Sequence, residues 1–206
     1  MTTNQNPTGI TSFRPDLTGN SHAVSSGHHL ATAAGFRILE QGGNAIDAGV
    51  ASGIAINVVV ADNTSFGGVA PIVLYDANAD RVSTISGLGR WPKSATLEHF
   101  LEDRGGDIPP GMERVIVPAA PDAWLTALSD HGTMTLEQVI TPALELAHDG
   151  FPVSRGVGRR IAAAWEGFRD WPSTVEVYAP EGRPIAAGER MVRTDLARTF
   201  ERLIEA

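Results

Sequence analysis

Apolar and small residues recur at helical spacing through "ATAAGFRILEQ" (31–41), where Ala31, Ala34, Ile38 and Leu39 share one face. Gly42 is free to take the left-handed backbone that closes a helix, and Gly43 gives the turn a second permissive joint. Asn44 is a good N-cap through its side-chain oxygen, and Asp47, one turn on, sits favourably against the dipole of a second helix. That helix carries Ile46, Val50, Ile54, Asn57 and Val58 at helical spacing. Its remaining positions, Ala48, Gly49, Ala51, Ser52, Gly53 and Ala55, leave almost no side-chain radius. Glycine inside a helix costs about 1 kcal/mol against alanine, so Gly49 and Gly53 imply close packing by a neighbour and a buried helix.

The period then changes. "PIVLYD" (71–76), "ANAD" (77–80) and "RVSTIS" (81–86) predict two short strands around a polar turn, an antiparallel hairpin with Pro71 at a strand start or an edge. After "GLGRWPK" a helix is expected from Thr96, with Leu97, Phe100 and Leu101 inward. "RGGDIPPGMER" predicts a loop and "VIVP" a brief strand. "AAPDAWLTALSDHG" predicts a helix burying Trp124, Leu125 and Leu128, ended by Gly132. Thr135 and Gln138 form a capping box in front of Leu136, Val139 and Ile140. Pro142 would clash inside a continuous helix, so Thr141 is expected to cap a fresh one bearing Leu144 and Ala147, with Gly150 ending it. A further helix starts at Ser154 with Val157, Ile161, Trp165 and Phe168 on one face. Loops are expected over 172–184, then a last helix with Leu196, Phe200, Leu203 and Ile204 on one side. Its apolar stripe breaks off at Ala206, so the expected unit, 23–206, is part of a larger fold, preceded by a loosely held polar arm over 1–22.

Composition removes several functions. The 206 residues carry a net formal charge of -8, spread without a block, so a nucleic-acid groove or an anionic membrane surface is not an expected partner. No cysteine is present, which excludes disulfides, zinc-thiolate and iron–sulfur sites and a cysteine nucleophile within this chain; no cofactor is expected. The N-terminal stretch lacks the apolar run of a secretory signal and no segment approaches a membrane span, so the expected location is cytoplasmic. The six histidines form no helical metal pair, and structural or surface roles are expected for each.

Two places carry candidate chemistry. "SFGG" (65–68) is not a nucleophile elbow; Gly67 and Gly68 beside Ser65 either offer backbone N–H groups to an anion or oxyanion, or make a plain tight turn. Arg90 stands between flexible glycines and a stiff Trp91-Pro92 pair, either aiming a guanidinium fork at a substrate carboxylate or serving as an ordinary surface arginine.

"VSSGHHLATAAGFRILEQGGNAIDAGVA" resembles the opening of the gamma-glutamyltranspeptidase family, with its Gly-Gly-Asn-Ala turn and small-residue helix. "SFGG" resembles a shortened form of that family's Ser-Gly-(Ile/Leu)-Gly-Gly-Gly loop. "VPAAPDAW" resembles its Val-Pro-Gly loop and following helix, and "LEQVITPALELAHDGFPVS" its Pro-Ala-x-x-Leu-Ala-x-x-Gly-Phe-x-Val segment. The match runs from Val24 to the end of the chain. It implies an α/β, four-layer αββα N-terminal-nucleophile hydrolase made as a self-cutting precursor, of which this chain is the helix-rich large-subunit portion. The catalytic threonine would begin a small subunit, the partner in a heterodimer, and attack a small amide substrate such as those of glutathione metabolism; no catalytic residue is expected in this chain. A higher oligomer is compatible with the resemblance. Arg90 corresponds to the family's arginine that holds the substrate α-carboxylate, with Ser65, Gly67 and Gly68 in a substrate loop.

Two departures bear on specificity. The family usually has Arg-Glu-x-Ala-Pro where this chain has Arg90-Trp91-Pro92, and Phe66 stands where glycine is expected. A relative similar to the oxamate amidohydrolase branch, or acting on another small amide, fits nearly as well. Two further readings stay open: a non-catalytic binding or scaffold protein, and an esterase or amidase with a serine triad inside this chain. A Thr-led partner chain marks the first reading, its absence the second, and a serine reactive to acylating probes the third.

Overall fold

The computed structural model describes residues 17–109 and 111–206; the first sixteen positions of the expected arm lie outside the described residues. The arm's last residue, His22, lies against Phe36 and 3.1 Å from Glu40.

Helix α1 (His29–Glu40) ends at Gly42, whose φ of 91° is the left-handed turn expected there, and α2 (Ala45–Val59) starts at once behind Asn44. Asn44 Oδ1 accepts the Ile46 and Asp47 N–H groups while Asp47 returns a bond to the Asn44 N–H, a reciprocal cap. α2 is apolar almost all round and lies at the centre, packed by α1, α3 (Ala120–His131) and α4 (Leu136–Asp149). Ile38, Ile54, Val58, Val139, Ile140, Phe151 and Phe200 are the heart of the core; burying each contributes about 1.5–3 kcal/mol. The bareness of α2 is explained at Gly53, where a Cβ would come within 2.4 Å of the Trp124 ring. At Gly49 the expectation fails: the residue is exposed and a Cβ would meet nothing.

The hairpin pairs β1 (Ile72–Asp76) with β2 (Arg81–Ile85) antiparallel, Ile72 opposite Ile85 and Tyr75 opposite Val82. A second, two-residue pair joins β3 (Phe151–Pro152) to β4 (Arg190–Met191). α5 (Arg155–Phe168), α6 (Pro172–Tyr178) and α7 (Thr194–Glu205) complete the chain, α7 lying on α4 with Phe200 inward.

Five expectations are corrected. α4 runs unbroken through Pro142, because Val139 and Ile140 before it and Ala143 and Ala147 after it bury into one core, and that shared burial outweighs the missing N–H. "VIVP" pairs with no strand; it is extended chain in which the Val115 N–H donates to the Met112 carbonyl and the Val117 N–H to the Arg90 carbonyl. The helix expected from Thr96 forms over 97–103, its last five residues, His99–Asp103, as a π-helical turn, but only Phe100 is buried while Leu97 and Leu101 face solvent. Leu125 is exposed, since α3 turns Ala123, Ala127 and Leu128 to the core instead. Finally, α6 forms where loops were expected, opened by Pro172 at its first position, which φ preorganises for a helix.

Candidate functional site

The chain leaves α2 through a tightly bonded corner. Thr64 Oγ1 donates to the Ile56 and Val60 carbonyls at 3.0 and 3.2 Å, and Arg160 of α5 pairs with Asp62. Arg193, just before α7, donates to the Asn57 carbonyl at 2.9 Å, a cation placed on the last turn of α2 where the dipole favours it.

The Ser65–Gly68 turn follows. Ser65 Oγ accepts the Gly67 N–H at 3.1 Å, and the Ser65 carbonyl accepts the Gly68 N–H at 3.0 Å. Both glycine N–H groups are therefore engaged inside the turn, while the Ser65 hydroxyl keeps its own proton to donate. The Gly68 carbonyl accepts the N–H groups of Ala119 and Ala120 at 3.1 and 3.0 Å, capping α3, whose own N-cap residue Ala119 has no side chain that could do so.

The "GLGR" segment is stitched to the same assembly. The Ala70 N–H donates to the Gly87 carbonyl at 2.9 Å and the Val117 N–H to the Arg90 carbonyl at 2.8 Å. Gly87 and Gly89 have φ of 52° and 74°, and a Cβ on them would stand 2.1 Å from the Ala70 carbonyl oxygen and 2.2 Å from that of Val117. Trp91 rests on buried Phe100 with ring centroids 5.2 Å apart. Arg90 is thus fixed in its backbone, while its side chain is exposed and, among the described residues, has no carboxylate partner, unlike Arg37, Arg104, Arg160 and Arg183.

A cleft of about 530 Å³ opens beside the turn, lined by Asn57, Asp62, Thr64, Ser65, Gly68 and Trp124 among others. The structure brings Ser65 and Gly68 to this cleft; Gly67 and Arg90 do not line it. Arg90 joins the assembly through the backbone bonds of segments 68–70, 87–90 and 117–120.

Sequence reasoning missed two features. Asp47 is completely buried and also accepts from Thr133 N, Thr133 Oγ1 and Met134 N, at 2.9, 2.6 and 3.2 Å, which locks the α1–α2 turn to the α3–α4 connection. Burial alone would raise its carboxyl; the bonds from Thr133, Asn44 and Met134 outweigh that and hold it below the ordinary carboxylate value. His28 caps α1, its Nδ1 accepting the Leu30 N–H at 3.2 Å, and burial, aided by adjacent His29, lowers its pKa. An acidic residue at the third position of a capping box hints at the first; nothing local signals the second.

These elements, seen beside solved structures, define a class. The Helicobacter pylori gamma-glutamyltranspeptidase superposes with a TM-score of 0.85 at 29% identity, over 93% of this chain and 56% of that one. The fold is the helix-rich large-subunit portion of an α/β N-terminal-nucleophile hydrolase. The sequence profile of the family described as Gamma-glutamyltranspeptidase matches residues 31–206, and the chain belongs to that family. The glutathione hydrolase proenzyme of Bacillus subtilis (strain 168) is 33% identical over 189 residues, 89% of this chain and 32% of that protein. The Acylase ACY 1 proenzyme of Pseudomonas sp. (strain SE83) is 35% identical over 207 residues, 93% of this chain and 36% of that protein. The chain spans about a third of the length of these curated relatives.

Proposed function

We propose that residues 23–206 are the first part of the large subunit of a gamma-glutamyltranspeptidase-type amide hydrolase, completed by a further segment or chain that supplies a threonine nucleophile. The observation that carries the reading is the backbone-bonded assembly of the Ser65–Gly68 turn, the Gly87–Arg90 segment and the start of α3 in a chain of this family. Completion is supported by the hairpin, a lone two-stranded sheet whose outer face leaves Val73, Tyr75 and Val82 uncovered. The relatives' descriptions as proenzymes point the same way.

In this reading the threonine Oγ attacks the amide carbonyl, its own amino group taking the proton, and the amine leaves protonated. Water or another amine then takes the acyl group and frees the threonine. Arg90 holds the substrate carboxylate through two parallel N–H donors, and the Ser65 hydroxyl offers one further donor. A second reading, an acylase acting on another small amide, is favoured by identity to the Acylase ACY 1 proenzymes equal to that with the glutathione hydrolases.

Denaturing intact-mass spectrometry of the protein from its native source tests the proposal. A co-purifying second chain that begins with threonine is expected; one unprocessed species without amidase activity would overturn the reading in favour of a binding protein. In the active protein Arg90→Lys should raise KM for a carboxylate-bearing amide about tenfold with kcat little changed, because an ammonium cannot reproduce the fork. Unchanged kinetics would remove Arg90 from the site.

A further inference from the structure

We propose that Phe66 is a positioning residue: its ring, held on Phe200, sets where the Ser65–Gly68 turn stands and, through that turn, where Arg90 is presented. The link to Arg90 rests on the functional reading above; the anchoring itself does not.

Phe66 is out of place by local criteria, a large apolar side chain in a turn otherwise made of serine and glycine. Its partly buried ring packs against the core and meets Phe200 of α7 edge to face, centroids 5.1 Å apart and planes at 80°. The platform is rigid. Phe200 is completely buried, Ala197 beside it is buried as well, and Arg193 ties the start of α7 to the last carbonyls of α2. No other side chain of the turn reaches outside it: Ser65 Oγ bonds back to Gly67, and the two glycines have nothing to offer. Phe66 is therefore the turn's one side-chain link to the core.

The turn passes its position on through backbone. Its Gly68 carbonyl carries the N–H groups of Ala119 and Ala120, Ala70 carries Gly87, and Val117 carries the Arg90 carbonyl. Each junction has only one or two bonds, so a turn released from Phe200 shifts both the Ser65 hydroxyl and the Arg90 backbone. Neither Phe66 nor Phe200 needs to touch substrate for this to alter binding.

The test uses the full-length protein carrying Phe66→Ala, with Phe66→Leu as the variant that keeps most of the volume. Phe66→Ala should raise KM for a carboxylate-bearing amide about fivefold or more with kcat within twofold, and Phe66→Leu should recover most of the loss. A lowered melting temperature with unmoved KM in an active protein would overturn the proposal while leaving the functional reading intact. If the wild type shows no amidase activity, the functional reading falls, and hydrogen exchange still decides the anchoring. Amides of residues 65–70 should then exchange faster in Phe66→Ala while α1 and α2 are unchanged, and equal exchange overturns it. If Phe66→Ala does not accumulate, the same measurements on Phe66→Val decide in the same directions.

Discussion

Asp47→Ala should lower the unfolding free energy by about 3 to 5 kcal/mol at pH 7, since each buried donor left without an acceptor costs about 1–3 kcal/mol. Three backbone N–H groups, those of Asn44, Thr133 and Met134, converge with the Thr133 hydroxyl on the two carboxylate oxygens. Asp47→Asn should fare little better, despite its shape. Its amide nitrogen would face either Thr133 and Met134 N–H or Asn44 N–H, a donor against donors in both orientations. Urea unfolding of the three proteins measures this, and a loss under about 1 kcal/mol in either variant would refute the stapling role.

The pH dependence has a definite sign. The folded carboxyl lies below its ordinary value, so the unfolded chain binds the proton more readily. The contribution is complete above the unfolded carboxyl's pKa of about 4 and is lost as the pH falls below that through the lower folded value. The stability gap between wild type and Asp47→Asn should therefore be widest near neutrality and narrow in acid.

Gly89→Ala is expected to reduce kcat/KM of the active protein about a hundredfold, the order of effect that a displacement near 1 Å brings to a bound geometry. A Cβ there would stand 2.2 Å from the Val117 carbonyl oxygen, and the φ of 74° strains any L side chain. Relief requires moving the Val117 backbone, whose N–H holds the Arg90 carbonyl. Gly89 is exposed and outside the core, so the melting temperature should change by only a few degrees. Steady-state kinetics beside a thermal melt separate the two effects. Activity within threefold of wild type would show that the Arg90 backbone does not need its present path.

Much of the frame was legible because its causes are local. The reciprocal Asn44–Asp47 cap and the Thr135–Gln138 box each join residues three apart, and the left-handed Gly42 follows from the helix it ends. The hairpin's partners are separated by one short polar turn, so its register is set within the same stretch. The candidate residues Arg90 and Ser65 could be named, but Arg90's glycines read only as flexible joints, and it took the structure to show that Gly87 and Gly89 hold positive φ.

What sequence alone determined, then, are the elements whose hydrogen bonds close within a few residues, together with the family that their order resembles. Tertiary structure decided the rest, wherever energy came from a distant partner. Burial on both sides of Pro142 kept α4 whole, and the lack of a partner strand left "VIVP" as extended chain. Asp47 meets Thr133 across 86 residues of sequence, and Phe66 reaches Phe200 only because α7 folds back over α4. Hydrophobic burial and desolvated hydrogen bonds depend on which surfaces meet, and periodicity along a chain records only which surfaces are available.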